Sequence, residues 1–244
     1  MTLRNQSPFE DRVTQVDPKV NIFVKQLQEN DLTGVLPAAH GPQLKKLKGH
    51  FRTAIADFYK REPNKRLVVE IGCHLGKTVR SMAQNHSDTD FVAMDITFKR
   101  VVTTAKRANE AQVKNVYSIM ANAKHLDELF NENEVDGFVI FFPDPWVRKK
   151  SQAKNRLLND NFSSLMCKVL RPGGFLWLKT DQEPYFQNAA QCFENAGFKP
   201  FTGSDPLVPK LLTEEYETTF EHKFRLEGLP AHGGQWYLPV PLNK

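Results

Sequence analysis

Apolar Leu44, Leu47, Phe51, Ile55 and Phe58 recur at spacings of three and four, which predicts one amphipathic helix from Gln43 to Tyr59 with a basic outer face. Beyond it the period changes. The short apolar runs Leu67–Ile71, Phe91–Met94, Val116–Met120, Val135–Phe142 and Phe175–Leu178 read as buried strands. Helix-like stretches lie between and after them, near Thr78–Gln84, Arg100–Ala111, Leu126–Phe130, Asp160–Leu170 and Pro184–Ala196. Strands alternating with helices at this spacing predict an α/β fold: a doubly wound, mostly parallel sheet with helices on both faces. Right-handed crossovers then bring the carboxyl ends of the strands to one edge, where ligands bind in such folds.

Residues 1–42 have no such period and are broken by Pro8, Pro18, Pro37 and Pro42, so an irregular N-terminal arm is expected ahead of one large domain over 43–244. Within the arm, VNIFVKQLQ is compatible with a strand or a helix. The 244 residues suffice for a substantial core, and 40% hydrophobic with 25% charged residues is globular composition. The net charge of +5 leans toward a polyanionic partner. The charge is concentrated in two places, Lys45–Arg66 and Arg148–Arg156. Cys73, Cys167 and Cys192 show neither a disulfide framework nor zinc-ligand spacing, so no metal is expected and a reducing cytoplasm fits. No apolar leader and no run of membrane-spanning length are read from the sequence, so no membrane partner is expected.

The chemically informative residues fall at predicted strand ends. Glu70-Ile71-Gly72-Cys73-His74-Leu75-Gly76 closes the first strand and opens a helix, and Gly72 and Gly76 permit a tight turn and close approach of a ligand. Asp95 ends the second strand at a distance suited to a ribose diol. The loop lacks G-x-G-x-x-G and is preceded by Glu70, which can face a cationic amino acid moiety, so S-adenosylmethionine fits better than a nicotinamide dinucleotide. Asn122, after the third strand, can pair with an adenine edge, or else cap a helix. After the fourth strand, Phe141-Phe142-Pro143-Asp144-Pro145-Trp146 sets one carboxylate between two rigid prolines, with an indole face beside it.

That last segment resembles the bacterial tRNA (guanine-N7)-methyltransferases, in which a PDPW box precedes a basic run, here residues 147–157. The resemblance extends from about Leu67 to Tyr237. It includes Glu70-Ile71-Gly72, Arg171-Pro172-Gly173-Gly174, Thr180-Asp181, and Thr218-Thr219-Phe220-Glu221-His222-Lys223-Phe224 ahead of Gly228 and Pro230. It implies a Rossmann-like methyltransferase that methylates N7 of guanosine 46 in the variable loop of tRNA, in the cytoplasm, as a monomer or homodimer. It implies that Glu70, Gly72, Gly76, Asp95, Asn122 and Asp144 hold S-adenosylmethionine and that Asp144 is also catalytic. Arg148, Asp181, Thr218 and Glu221 would then contact the guanosine, and Lys149, Lys150 and Lys154 the RNA. The chain departs from the family at His74, where glycine is usual, at Arg148, where lysine is usual, and at Asp95, where the longer Glu is usual. Its basic run is also thinner, with Gln152, Ala153 and Asn155 in place of His and Arg. A non-catalytic binder on the same fold, and a methyltransferase for another substrate, are the alternatives.

Overall fold

A computed structural model describes residues 7–146, 154–202 and 209–241. The chain divides into two compact units, Met1–Asn131 and Glu132–Lys244.

The first unit begins with helix α1 (Ile22–Thr33), which settles the VNIFVKQLQ ambiguity in favour of a helix. Its N-cap Asn21 accepts from the backbone N–H of Phe23 and Val24 at 3.0 and 3.4 Å, and it stops at Gly34 in the left-handed conformation. Strand β1 (Ala38–His40) follows and pairs parallel with a later strand, Ala38 opposite Ser118. The expectation of an irregular arm is therefore corrected. Val13, Val24, Leu27 and Ala38 pack into one buried cluster with Val101, Val102, Ala105 and Met120. The sequence hid this because only a narrow stripe of α1 is apolar and β1 is built from two alanines and a histidine.

The single helix expected over 43–59 is also corrected. It is split into α2 (Leu44–Leu47) and α3 (Phe51–Tyr59). Gly49 adopts φ +78, and a side chain there would collide with the Asn131 amide. Lys48 leaves the helical path and donates from Nζ to the Asp127 carbonyl at 2.6 Å. The apolar stripe survives the break because Leu44, Phe51 and Ile55 are all fully buried. Tilted packing of Phe51 against Phe130, with centroids 4.7 Å apart, anchors this face, and each such ring contributes about 1.5–3 kcal/mol by burial.

The rest of the unit follows the alternation read from the sequence. It runs β2 (Arg66–Ile71), α4 (Lys77–Asn85), β3 (Thr89–Asp95), α5 (Phe98–Glu110), β4 (Val116–Met120) and α6 (Leu126–Leu129). The strand order is β1-β4-β3-β2 and every pairing is parallel. Ile71 lies opposite Met94 and Asp95 opposite Met120, so the ends of these strands share one edge.

The second unit contains β5 (Val135–Phe141), α7 (Asp160–Val169), β6 (Leu170–Thr180), α8 (Glu183–Asn195), β7 (Lys199–Pro200), α9 (Lys210–Thr213), α10 (Thr219–Leu226) and β8 (His232–Tyr237). β5 and β6 are parallel, β8 runs antiparallel to β6, and the two-residue β7 pairs antiparallel with β8. Behind them Phe193 meets Trp236 edge-on at 5.1 Å. α10 differs from the other long helices in burying none of its residues.

Candidate functional site

The edge shared by β2, β3 and β4 carries the first group of candidate residues. Glu70 is 4% exposed, and its Oε2 is buried without a hydrogen-bond partner. Burial pushes its carboxyl up to about 8, against the hydrogen bond it receives from the Val79 backbone, while the charge of Asp95 adds a smaller push. A buried carboxyl held this way is costly to ionise alone and could be ionised by an arriving cationic group.

The loop that follows turns on three left-handed residues, Gly72 at φ +80, His74 at φ +52 and Gly76 at φ +70. Gly72 is exposed, and a Cβ there would meet nothing within 4 Å, which leaves its face open to a ligand. At Gly76 a Cβ would lie 2.6 Å from the Thr104 methyl, so only glycine lets the loop close on α5. His74 occupies the same backbone region without that freedom, at a cost of about 1 kcal/mol or more. Its imidazole titrates below the usual histidine range, first because of burial and then because of Arg100, with Asp95 opposing and Arg107 and Lys99 adding to the shift.

Asp95 is 3% exposed. The Thr97 backbone N–H and hydroxyl donate to its Oδ1 at 3.1 and 3.2 Å, and the half-exposed Arg100 reaches Oδ2 at a longer 3.4 Å. Burial raises its carboxyl, with Arg100 the main opposing influence. Asn122 caps a short 3-10 helix (Ala123–His125), accepting from the Lys124 backbone at 3.1 Å. The capping role weighed in the sequence is thus realised, with the side chain held at the same edge.

The second group lies in the other unit. Asp144 is exposed after β5, between two left-handed residues, Phe142 at φ +52 and Trp146 at φ +46. The Phe142 N–H donates to the Lys179 carbonyl at 2.7 Å, and Arg156 donates from Nε to the Pro145 carbonyl at 2.9 Å. The charge of Asp144 reaches Tyr185, whose hydroxyl is pushed up to about 12 mainly by burial. Asp181 is partly exposed and accepts from the Gln182 amide at 2.8 Å.

Thr218 and Glu221 form a reciprocal cap on α10. The Glu221 N–H donates to Thr218 Oγ1 at 3.0 Å, and the Thr218 N–H donates to Glu221 Oε2 at 2.9 Å. Lys179 was not singled out in the sequence. Its Nζ reaches Glu221 Oε1 at 2.8 Å, and its place immediately before Thr180-Asp181 was the available signal. Lys179, Tyr216, Glu221 and Phe224 help line a cavity of about 580 Å³. Arg148, Lys149 and Lys150 lie outside the described residues, whereas Lys154 is described and exposed.

Comparison with known proteins meets this geometry at the family level. Residues 64–232 match the family described as "Putative methyltransferase", a span that includes every candidate residue named here. The tRNA (guanine-N(7)-)-methyltransferase of Bdellovibrio bacteriovorus is 32% identical over 75% of this chain and 86% of its own length. That of Geobacillus kaustophilus is 31% identical over 66% and 74%. Among solved structures, the 16S rRNA methyltransferase KamB superposes with a TM-score of 0.52 at 16% identity, covering 72% of this chain and 89% of its own. The cyclase SpnF gives 0.51 at 13%, covering 78% and 81%. These two likenesses show the Rossmann-like α/β fold alone, since a cyclase and a methyltransferase share it. The sequence relatives go further, and on them this chain belongs to the tRNA (guanine-N7)-methyltransferase family.

Proposed function

We propose that this protein transfers a methyl group from S-adenosylmethionine to N7 of a guanosine in tRNA, guanosine 46 of the variable loop. The observation that carries this reading is Asp144, an exposed carboxylate between two left-handed aromatic residues, in a chain of this family.

The residues suit the cofactor. A buried carboxylate oxygen without a partner at Glu70 matches an ammonium, and the open face of Gly72 admits the methionine end. Asp95 would take the ribose hydroxyls, displacing only the long contact to Arg100, and Asn122 would meet the adenine edge. S-adenosylmethionine supplies, when bound, a methyl carbon made electrophilic by its sulfonium. Guanine N7 already presents a lone pair, so no side chain of this protein has to remove a proton to make the nucleophile. Asp144 would then hold the N1–H and N2–H edge of the base and offset the positive charge arriving on the purine, an alignment and electrostatic role. Asp181, Thr218, Glu221 and Arg148 would contact the guanosine, and Lys149, Lys150 and Lys154 the phosphates.

The reading also supports a cytoplasmic protein acting as a monomer or homodimer. Cys73, Cys167 and Cys192 are free thiols, and no helix among the described residues is long and apolar enough to cross a membrane.

The test is direct. Unmodified tRNA is incubated with labelled S-adenosylmethionine, digested to nucleosides and separated; label in N7-methylguanosine is the expected result. One observation favours a second reading, a non-catalytic binder: His74 stands at a left-handed position of the cofactor loop. Binding of both ligands with no labelled nucleoside would establish that alternative.

A further inference from the structure

Helix α10 carries Glu221 and is capped by Thr218, two of the residues assigned to the guanosine, yet none of the side chains within the helix is buried. Part of what holds it is local. The Thr218–Glu221 cap closes its first turn, and Glu217, just ahead of it, accepts from Arg225 Nε at 3.0 Å and pairs with His222 Nδ1 at the same distance. Ring contacts and an ion pair fasten it to the body of its unit. The Phe142 ring lies 6.0 Å from Phe220 and 5.5 Å from Phe224, and the Lys179 ammonium lies 2.8 Å from Glu221 Oε1.

Lys179 is built for such a task. It stands at the carboxyl end of β6 with a side chain only 15% exposed. Its ammonium rests over the rings of Phe141 and Trp177 at 4.9 and 5.2 Å and also donates to the Tyr216 carbonyl at 3.0 Å. Two aromatic faces, a carbonyl and a carboxylate define its position from four sides, which a mobile surface lysine lacks. Its own carbonyl receives the Phe142 N–H at 2.7 Å. A single residue thus ties the loop that bears Asp144, through its backbone, to the helix that bears Glu221, through its side chain.

We propose that Lys179 is a positioning residue for methyl transfer: it fixes the Glu221 carboxylate, and with it the first turn of α10, in the place where that carboxylate meets the target base. This rests on the assignment of Glu221 to the guanosine under the proposed function. Lys179 acts through Glu221 and touches neither substrate nor cofactor.

The experiment compares Lys179→Met, Lys179→Arg, Glu221→Gln and the Lys179→Met/Glu221→Gln double variant in single-turnover methylation of tRNA at saturating S-adenosylmethionine. Lys179→Met should slow methylation at least about tenfold, with the Kd values for tRNA and S-adenosylhomocysteine changed less than about twofold. A merely structural loss would instead move all three together. Lys179→Arg, which keeps the charge, should recover most of the rate. In the Glu221→Gln background, Lys179→Met should cost less than a further factor of about two. Full multiplication of the two losses, or a wild-type rate in Lys179→Met, overturns the proposal.

Amide exchange provides a readout independent of activity, and it uses Glu221→Gln in case Lys179→Met does not fold. Exchange over residues 218–226 should speed up at least about tenfold when the ion pair is cut from the Glu221 side. Unchanged exchange overturns the proposal. A wild-type protein that methylates no guanosine, with α10 loosened all the same, would sink the tRNA reading while leaving the Lys179 tether in place.

Discussion

Glu70→Gln should stabilise the ligand-free protein at neutral pH while weakening its grip on the cofactor, and the first effect carries a pH signature set by burial. In the unfolded chain this carboxyl ionises near 4.5, and in the folded protein it is pushed up to about 8. Between those values the unfolded state has released the proton and the folded state keeps it, so stability falls as pH rises. The favourable contribution is complete below about 4.5 and is lost as pH rises through about 8. The slope is about 1.4 kcal/mol per pH unit. The loss is therefore on the order of 3 kcal/mol by pH 7 and 5 kcal/mol above pH 8.

Glutamine has the same shape and does not titrate. Asp90, whose carboxyl is also raised, remains in both proteins and cancels in the comparison, while Asp95, coupled to Glu70 by its charge, adds a smaller change of the same origin. Urea unfolding of wild type and Glu70→Gln from pH 5 to 9 measures the difference, which should grow steadily and then level off above pH 8. Cofactor binding probes the same group from the other side. An ammonium arriving at the partnerless Oε2 should ionise the carboxyl, so calorimetry at pH 7 in buffers of different ionisation enthalpy should find close to one proton released by wild type and none by the variant. A stability difference that stays flat between pH 5 and 8 would refute the reasoning.

Four other outcomes are expected. Asp95→Ala should weaken S-adenosylhomocysteine binding by roughly 1–3 kcal/mol in calorimetry, through loss of charge-assisted hydrogen bonds to the ribose. His74→Gly should relieve left-handed strain and raise stability to urea by about 1 kcal/mol, offset in part by the greater freedom of glycine when unfolded; a large loss of cofactor affinity would instead make His74 a contact residue. Reversing Lys149, Lys150 and Lys154 to Glu should flatten the fall of tRNA affinity with salt and leave cofactor binding unchanged. Asp144→Asn keeps shape and removes charge, so single-turnover methylation should fall about a hundredfold or more while tRNA stays bound, and a full-speed variant would remove Asp144 from the mechanism.

The interior of the sheet was legible because strands covered on both sides leave continuous apolar runs. β2, β3, β4 and β5 lie within a residue or two of where those runs place them, and Glu70 within the first run, Asp95 at the end of the second and Asp144 after the fourth stand out as acids. The outer strands are written in a different code. β1 is Ala-Ala-His and β8 is His-Gly-Gly-Gln-Trp-Tyr, and both are strands because of the neighbour they pair with rather than through their own propensity. The break between α2 and α3 was hidden for a related reason. Leu44, Phe51 and Ile55 keep one face across it, so periodicity passes over Gly49 without registering the turn. Lys179 escaped because a lysine at the end of an apolar run looks like a solvated terminus, and only the rings of Phe141 and Trp177 and the carboxylate of Glu221 make it otherwise.

Backbone strain separates the working loops from ordinary turns. Among the described residues, six that are not glycine have positive φ: Lys60, His74, Gln112, Asn133, Phe142 and Trp146. Lys60 caps α3, Gln112 follows the end of α5, and Asn133 lies in the turn before β5, places where polar residues meet the left-handed region as part of a chain reversal. His74, Phe142 and Trp146 are bulky, and all three lie in the loops that follow β2 and β5. Each costs about 1–3 kcal/mol and persists only where its surroundings over-determine it. For Phe142 those surroundings are the Lys179 carbonyl on its N–H and the rings of Phe220 and Phe224 against its side chain. The consequence falls on Asp144. Two prolines limit the backbone on either side of it, and two strained residues, one of them tied to β6, fix where that short segment begins and ends. A carboxylate whose task is to be in place before charge develops gains from that restriction, because a loop free to relax would have to be ordered during the reaction itself.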